Sequence, residues 1–318
     1  MTSERRVHVL IDTAGGRRTG HGHLVRSREL ARRLRRRGAR VSWLAVARPS
    51  QVAPSVIVID RDDVTAEMIT ARHRQWPEAP IVALDYYGPP AEGVAAVINL
   101  NAGRASEWAP RSRPRRYLEG LEYATVRQSF VPIRNGRKRR ERQEPPRVLI
   151  GFGATDPRGW TAPALRAIAS VGDGDVRIDV MSGSASAALS RAVKRHPHAR
   201  LHVAVADPAP LVARSSLVII GGGTMMIEAA CLGVPAVVVP RTMSERMFAR
   251  GFARVGAVRV VPVRHTFPGA AVRRVVASLL RDARARTRMR RRATALVDGH
   301  GADRVVMTIL AVADRSRR

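Results

Sequence analysis

The chain is poor in several things at once. It has one cysteine, Cys231, in 318 residues, which excludes an intrachain disulfide framework and any multi-cysteine zinc site. A lone thiol fits a reducing compartment. Lysine is nearly absent: Lys138 and Lys194 are the two, and the other 54 of the 56 basic residues are arginine. Aromatic residues make up 4%, too sparse for the stacking platforms that hold single-stranded nucleic acid. No clean apolar run is long enough to cross a bilayer. The longest apolar window, Leu217–Val239, contains three consecutive glycines, Glu228 and Pro235, and reads as a strand, a loop, a helix and a second strand. At the front, Val7–Ile11 is too short for a secretory signal core. The expected location is therefore cytoplasmic.

Acidic residues number 26 against the 56 basic ones, a formal net charge of +30. Charge of this size invites a polyanion partner. Its make-up argues otherwise. Arginine in such excess, beside abundant Ala, Val and Gly, follows GC-rich coding, and the arginines then stand where lysines would on solvated faces. Net charge by itself speaks to solubility and non-specific binding. No groove-reading module is recognisable, so no specific nucleic-acid partner is expected.

What the sequence does have is alternation. Short β-branched runs at Val7–Ile11, Val41–Ala45, Val56–Ile59, Ile81–Leu84 and Val97–Leu100 are followed by six more. Those are Val148–Phe152, Arg177–Met181, Leu201–Val205, Leu217–Ile220, Ala236–Val239 and Val258–Val261. They are continuous apolar runs, as strands covered on both faces should be. Helical patterns lie between them; Leu24, Leu30 and Leu34 share a face, and Gly38 supplies a stop. Repeated βα units predict doubly wound parallel sheets. The break between two halves falls near Pro132–Pro146, where Arg134–Arg142 carries dense charge and no apolar residue. The expected domains are residues 1–131 and 147–318, with 132–146 as a solvated linker. Two such halves would face one another across a cleft at the carboxyl ends of their strands, where ligands of these sheets bind.

Three loops after strands could carry chemistry. In Asp12–Arg26 (DTAGGRRTGHGHLVR), glycines permit a sharp turn and the start of the next helix attracts anions. His21, Gly22 and His23 sit at its mouth, where an imidazole can move a proton near neutral pH; a histidine there can equally be a surface residue or a cap. In Gly151–Thr161 (GFGATDPRGWT), Gly153, Thr155 and Asp156 lie where a strand gives way to a helix, and Asp156-Pro157 reads as a cap with proline at the first helical position. In Gly221–Glu228 (GGGTMMIE), Gly221, Gly222, Gly223 and Thr224 cluster amides and a hydroxyl suited to a diphosphate. Glu228, one turn further, could accept bonds from two adjacent ribose hydroxyls. Met225, Met226 and Cys231 read as packing residues.

These segments resemble, in order, the hydrolase family that releases UDP from a UDP-diacetamido-trideoxy-altrose in pseudaminic acid synthesis, together with spore-coat polysaccharide proteins of similar sequence. GHGHLVRSRELA is similar to the family's Gly-x-Gly-His-x-x-Arg-x-x-x-Leu-Ala, VIVID to its strand ending in Asp, and Asn99-Leu100-Asn101 to its Asn-x-Asn. Tyr123, Arg127 and Phe130 resemble the segment before its linker, GFGATDP its Gly-Gly-Ser/Thr-Asp-Pro loop, and GGGTMMIEAACLGVPAVVV its nucleotide loop and helix. The resemblance spans residues 7 to 260. It implies a GT-B architecture, like the enzyme that adds GlcNAc to the lipid-linked peptidoglycan precursor, with UDP held by the C-terminal half.

The resemblance also implies a catalytic His in the first loop. The spacing to Arg26 selects His23, whereas counting forward from Asp12 selects His21. Asp12 joins His23 as a catalytic candidate, and His21, Arg26, Asn99, Tyr123, Ser244 and Glu245 are candidates for the sugar side. The chain departs from the family at Asp60-Arg61-Asp62, where Asp-x-Tyr is usual, at Ala154 in the Gly-Gly pair, and at Thr242-Met243-Ser244-Glu245, where Glu-Asn-Gln is usual. The expected activity is hydrolysis of a UDP-sugar. The alternative is transfer of the sugar to a sugar, lipid or natural-product hydroxyl, and Arg281–Arg292 could then touch an anionic membrane, although a solvated helix face is the preferred account of that stretch. No cofactor is expected, and no clustered carboxylate motif calls for a metal.

Overall fold

The computed structural model describes residues 6–14, 22–44, 53–61, 63–100, 114, 116–136, 145–171 and 176–315. The chain divides into two compact units. Unit 1 comprises Met1–Thr125 and His300–Arg318, and unit 2 comprises Val126–Gly299.

Unit 1 is a six-stranded parallel sheet in the order β2-β1-β3-β4-β5-β6. Its strands are β1 (His8–Thr13), β2 (Arg40–Trp43), β3 (Val56–Asp60), β4 (Ile81–Leu84), β5 (Val94–Asn99) and β6 (Arg116–Glu119), with helices α1 (Gly22–Arg36) and α2 (Ala66–Gln75) between them. The two-residue period of a strand sorts the core. Val9, Ile11, Val56 and Val58 pack with Leu30 and Leu34 of α1, while Leu10, Ile57, Ile59 and Ile81 pack with Ile69 of α2 on the other face. Helix α1 ends as its sequence predicts: Gly38 has φ +84°, and the Ala39 N–H returns to the Leu34 carbonyl at 3.1 Å.

Unit 2 is a second six-stranded parallel sheet, ordered β12-β11-β10-β7-β8-β9. It contains α3 (Phe130–Gly136), β7 (Arg147–Gly151), α4 (Thr161–Ile168), β8 (Arg177–Ser182), α5 (Ala187–Lys194), β9 (Ala199–Val203) and α6 (Ala209–Ala213). Then follow β10 (Leu217–Ile220), α7 (Thr224–Cys231), β11 (Ala236–Val238), α8 (Met243–Arg254), β12 (Val258–Val260), α9 (Gly269–Arg281) and α10 (Ala283–Leu296). The Leu217–Val239 window is thus β10, α7 and β11, and no described helix is long and apolar enough to cross a membrane.

Three sequence expectations change. The boundary lies at Thr125/Val126, before the proposed linker, because α3 already belongs to unit 2. There Arg134 donates to the Cys231 carbonyl at 2.6 Å and to the Thr294 carbonyl at 3.0 Å; residues 137–144 of the linker lie outside the described residues. The last helix, α11 (Gly301–Arg315), leaves residues 147–299 and joins unit 1. Its Ala302, Val305, Val306, Ile309, Val312 and Ala313 are buried in the α1 side of that core, at roughly 1.5–3 kcal/mol for each fully buried Val or Ile. Finally, the polar segment RYLE forms β6, an edge strand whose sequence carries no β-branched run.

Candidate active site

In a doubly wound sheet, ligands gather at the carboxyl ends of the strands where the order reverses. In unit 1 that point lies at β1, with β2 on one side and β3 on the other; in unit 2 it lies at β7, between β8 and β10.

At the first point stands a cluster of charges. Asp60, the last residue of β3, is fully buried. Its Oδ1 meets His23 Nδ1 at 2.6 Å. Arg26 Nε lies 3.1 and 3.0 Å from the two carboxylate oxygens, Arg26 Nη2 also donates to Oδ1, and Ser27 Oγ donates to Oδ2 at 2.8 Å. Arg26 Nη1 reaches on to Asp85, just past β4. Burial opposes ionisation of Asp60, but the Arg26 charge and the bonds from His23 and Arg26 outweigh it and hold the carboxyl well below the usual carboxylate range. The same pairing, with Asp85, outweighs burial at Arg26 and keeps its guanidinium charged. An ionised Asp60 accepts the Nδ1 proton of His23, and Nε2 is then the basic nitrogen of the ring. The His23 side chain is 17% exposed.

Period-two alternation explains why Asp60 and not Asp12 partners His23. Thr13 registers with Asp60 and Asp12 with Ile59, so Asp60 faces α1 while Asp12 faces α2. Asp12 is accordingly taken by Arg72 of α2 at 2.8 Å and by Arg61 at 3.0 Å. The aspartate paired with His23 is therefore Asp60 and not the expected Asp12. His21 lies outside the described residues. Asn99 is buried and donates to the Tyr86 carbonyl at 2.9 Å and the Tyr117 hydroxyl at 3.3 Å. Tyr123, partly buried, packs against the same core as α11. Gly22 opens α1 one residue before His23.

At the second point three loops meet, after β7, β10 and β11. Gly153 has φ +90°, a conformation that suits glycine, and it and Thr155 are exposed. Asp156 caps the next helix through the Trp160 and Thr161 N–H groups at 3.0 and 2.9 Å. Proline is not the first helical residue, because α4 starts only at Thr161. Gly221, Gly222 and Gly223 lead into Thr224 at the start of α7, which has no side-chain cap bond. Over the first two glycines lies the first turn of α8. A Cβ at Gly222 would stand 2.6 Å from the Glu245 carbonyl oxygen. Glu245 pairs with Arg241, a residue no sequence argument singled out, and Ser244 beside it is exposed.

Glu228, expected to hold a ribose, is completely buried and ion-paired with Arg127 Nε at 3.2 Å, Arg127 being 25% exposed. The basic C-terminal stretch is likewise partly spent within unit 2. Arg286 donates to the Leu280 carbonyl at 2.7 Å and to that of Leu279, and Arg288 lies 3.8 Å from Asp282. Each unit also has a surface cavity lined by none of these residues: one of about 360 Å³ in unit 2 lined by Arg166, Arg191, Arg195 and His196, and one of about 490 Å³ in unit 1 lined by Arg28, Arg32, Arg35, Arg36 and Trp43.

Two Rossmann-type parallel sheets with flanking helices define a GT-B fold, and solved structures agree. The chain is similar to MurG of Acinetobacter baumannii (TM-score 0.66, 16% identity, covering 96% of this chain and 99% of that one). It is also similar to CalG4, the calicheamicin glycosyltransferase (TM-score 0.64, 16% identity, 98% and 99%). By sequence it is 23% identical to the spore coat polysaccharide biosynthesis protein SpsG of Bacillus subtilis (strain 168), over 94% of this chain and 96% of SpsG. No family model matches the chain.

Proposed function

We propose that this protein transfers the sugar of a nucleoside diphosphate sugar, a UDP-sugar foremost, to an acceptor hydroxyl, with His23 as general base. The observation that carries the reading is the His23–Asp60 pair, 2.6 Å apart at the reversal point of the first sheet. Asp60 fixes the ring and stabilises the imidazolium; Arg26 and Ser27 fix Asp60. As the acceptor oxygen attacks the anomeric carbon, His23 Nε2 takes its proton. The bond from that carbon to the diphosphate oxygen breaks, and its electron pair leaves with the phosphate. The amides at the start of α7 and the Thr224 hydroxyl receive the growing charge. Backbone amides and arginine suffice for that task, so the reading needs no metal or cofactor.

Water in place of the acceptor gives free sugar and nucleotide through the same proton transfer. The sequence resemblance puts this hydrolysis first. The fold likeness to a glycosyltransferase and the near full-length similarity to a polysaccharide biosynthesis protein support transfer over it. Incubation with a panel of UDP- and dTDP-sugars, with and without sugar, lipid and natural-product acceptors, separates the two. The expected result is nucleotide release that an acceptor accelerates, with a glycosylated product. Release that no acceptor accelerates would establish the hydrolase, and no thermal stabilisation by any nucleotide or nucleotide sugar would reject both.

A further inference from the structure

The Arg241–Glu245 pair has chemistry that helix capping does not exhaust. Thr242 caps α8, its Oγ1 accepting from the Glu245 N–H at 3.1 Å, and Thr-x-x-Glu is a capping-box sequence. The reciprocal capping-box bond, from the Thr242 N–H to the carboxylate, is not the one made: Oε2 accepts from the Arg241 N–H at 2.7 Å, one residue before the cap. The other oxygen, Oε1, accepts from Arg241 Nε at 3.0 Å and from Nη2. Nη1 of the same guanidinium donates to the Phe152 carbonyl, beside Gly153. The pair roofs the glycine bend: a Cβ on Gly221 would lie 3.1 Å from Arg241 Nε and 3.2 and 3.3 Å from the two Glu245 oxygens. The Glu245 side chain is 12% exposed and that of Arg241 20%. A largely buried carboxylate thus occupies a set of donors, a guanidinium fork and a backbone amide, at the loops that end β7 and β10.

We infer that these donors form an anion site that the protein fills with its own carboxylate: Arg241 is a diphosphate-binding residue, and Glu245 is an internal anion that a diphosphate displaces. The inference rests on the proposed function for the identity of the ligand as a nucleoside diphosphate, and it assigns that ligand's charge to a particular cation. A guanidinium fork pairs bidentately with carboxylate and phosphate alike, so the two compete for one partner. While Glu245 holds Arg241, a diphosphate approaching Gly221–Gly223 meets a like charge. Once Glu245 swings away, Arg241 is left preset by the Phe152 carbonyl. Glu245 therefore weakens binding of the nucleotide, which eases product release. A sugar-contacting Glu245 would have the opposite effect on removal.

The test measures binding of inorganic pyrophosphate and of UDP to the full chain by calorimetry. Glu245→Gln should tighten both by about tenfold, the scale of one charged hydrogen bond, and Glu245→Ala, which removes the plug altogether, should shift affinity in the same direction. Arg241→Gln should weaken both by more than about tenfold, with Arg241→Lys recovering part of the loss through charge alone. Unchanged or weaker pyrophosphate binding in both Glu245 variants overturns the inference. If UDP binds the wild type but the Glu245 variants do not tighten it, the inference falls and the proposed function stands. If pyrophosphate behaves as expected and no nucleotide binds, the anion site stands and the proposed function falls.

Discussion

Two buried aspartates in this protein keep almost the same company. Asp60 has His23 at 2.6 Å, Arg26 in a fork and Ser27 at its second oxygen. Asp179 has His202 Nε2 at 2.6 Å, Arg214 at 2.9 and 3.2 Å, and Arg147 at 3.1 Å. Both carboxylates are fully buried, and both are held below the usual carboxylate range, against burial, by their cations and histidine bonds. Their places differ. Asp60 ends β3 at the reversal point of the first sheet. Asp179 is the third residue of β8, next to the edge strand β9, and its face is opposite the one that packs Ile178 and Val180 into the core. One constellation of residues therefore serves two ends. At the carboxyl end of a strand, a histidine held by an aspartate can meet a ligand; in mid-strand, the same pair ties β7, β8, β9 and α6 together.

The comparison breaks most visibly at the histidines. His23→Ala should lower turnover by about 10²–10⁴-fold, the range of a positioned general base, with little change in nucleotide affinity. His202→Ala should leave turnover unchanged. Equal effects in a steady-state assay would erase the distinction. Next in size, Asp179→Asn strands the Arg147 and Arg214 guanidiniums around a neutral amide and should cost about 3–5 kcal/mol of stability, as loss of one partner of a buried pair does. Denaturant melts should show that loss while kcat stays at the wild-type value; a fall in kcat without loss of stability would make the second cluster functional.

The smallest expected effect is on acid stability. A carboxyl whose native pKa is depressed contributes stability that is complete above its unfolded value, about 3.9, and that is lost as pH falls through the native value. Wild type should therefore lose stability below about pH 4 more steeply than Asp60→Asn or Asp179→Asn, and both variants should flatten the curve. Acid melts that superimpose across the three proteins would show that neither carboxylate carries the acid dependence.

Much of the sheet architecture is legible in the residues themselves. Eleven β-branched runs fall on eleven of the twelve described strands, because a strand covered on both faces must be apolar throughout. β6 escapes because its RYLE carries no such run, whereas the other edge strands, β2, β9 and β12, each keep one. The site is less legible. Asp60 carries a sequence signal, a buried run ending abruptly in aspartate, yet Asp12 carries the same one after VLI and Asp85 after IVAL. Choosing among the three needs the strand register, which sets the face each one takes. Arg241 has no signal at all, as one arginine among 54.

The sequence alone determined the βα alternation, the glycine bend before α7 and the histidine at the mouth of α1, because local periodicity and backbone freedom write these into consecutive residues. The tertiary structure decided which carboxylate meets His23, that Glu245 turns onto Arg241, that Glu228 turns onto Arg127, and that α11 returns to the unit where the chain began. Apart from Arg241 and Glu245, which stand four residues apart, each of these is a pairing between distant positions. Apolar faces and unlike charges accept many partners, and only the packed sheets, by fixing register and face, leave one of them within reach.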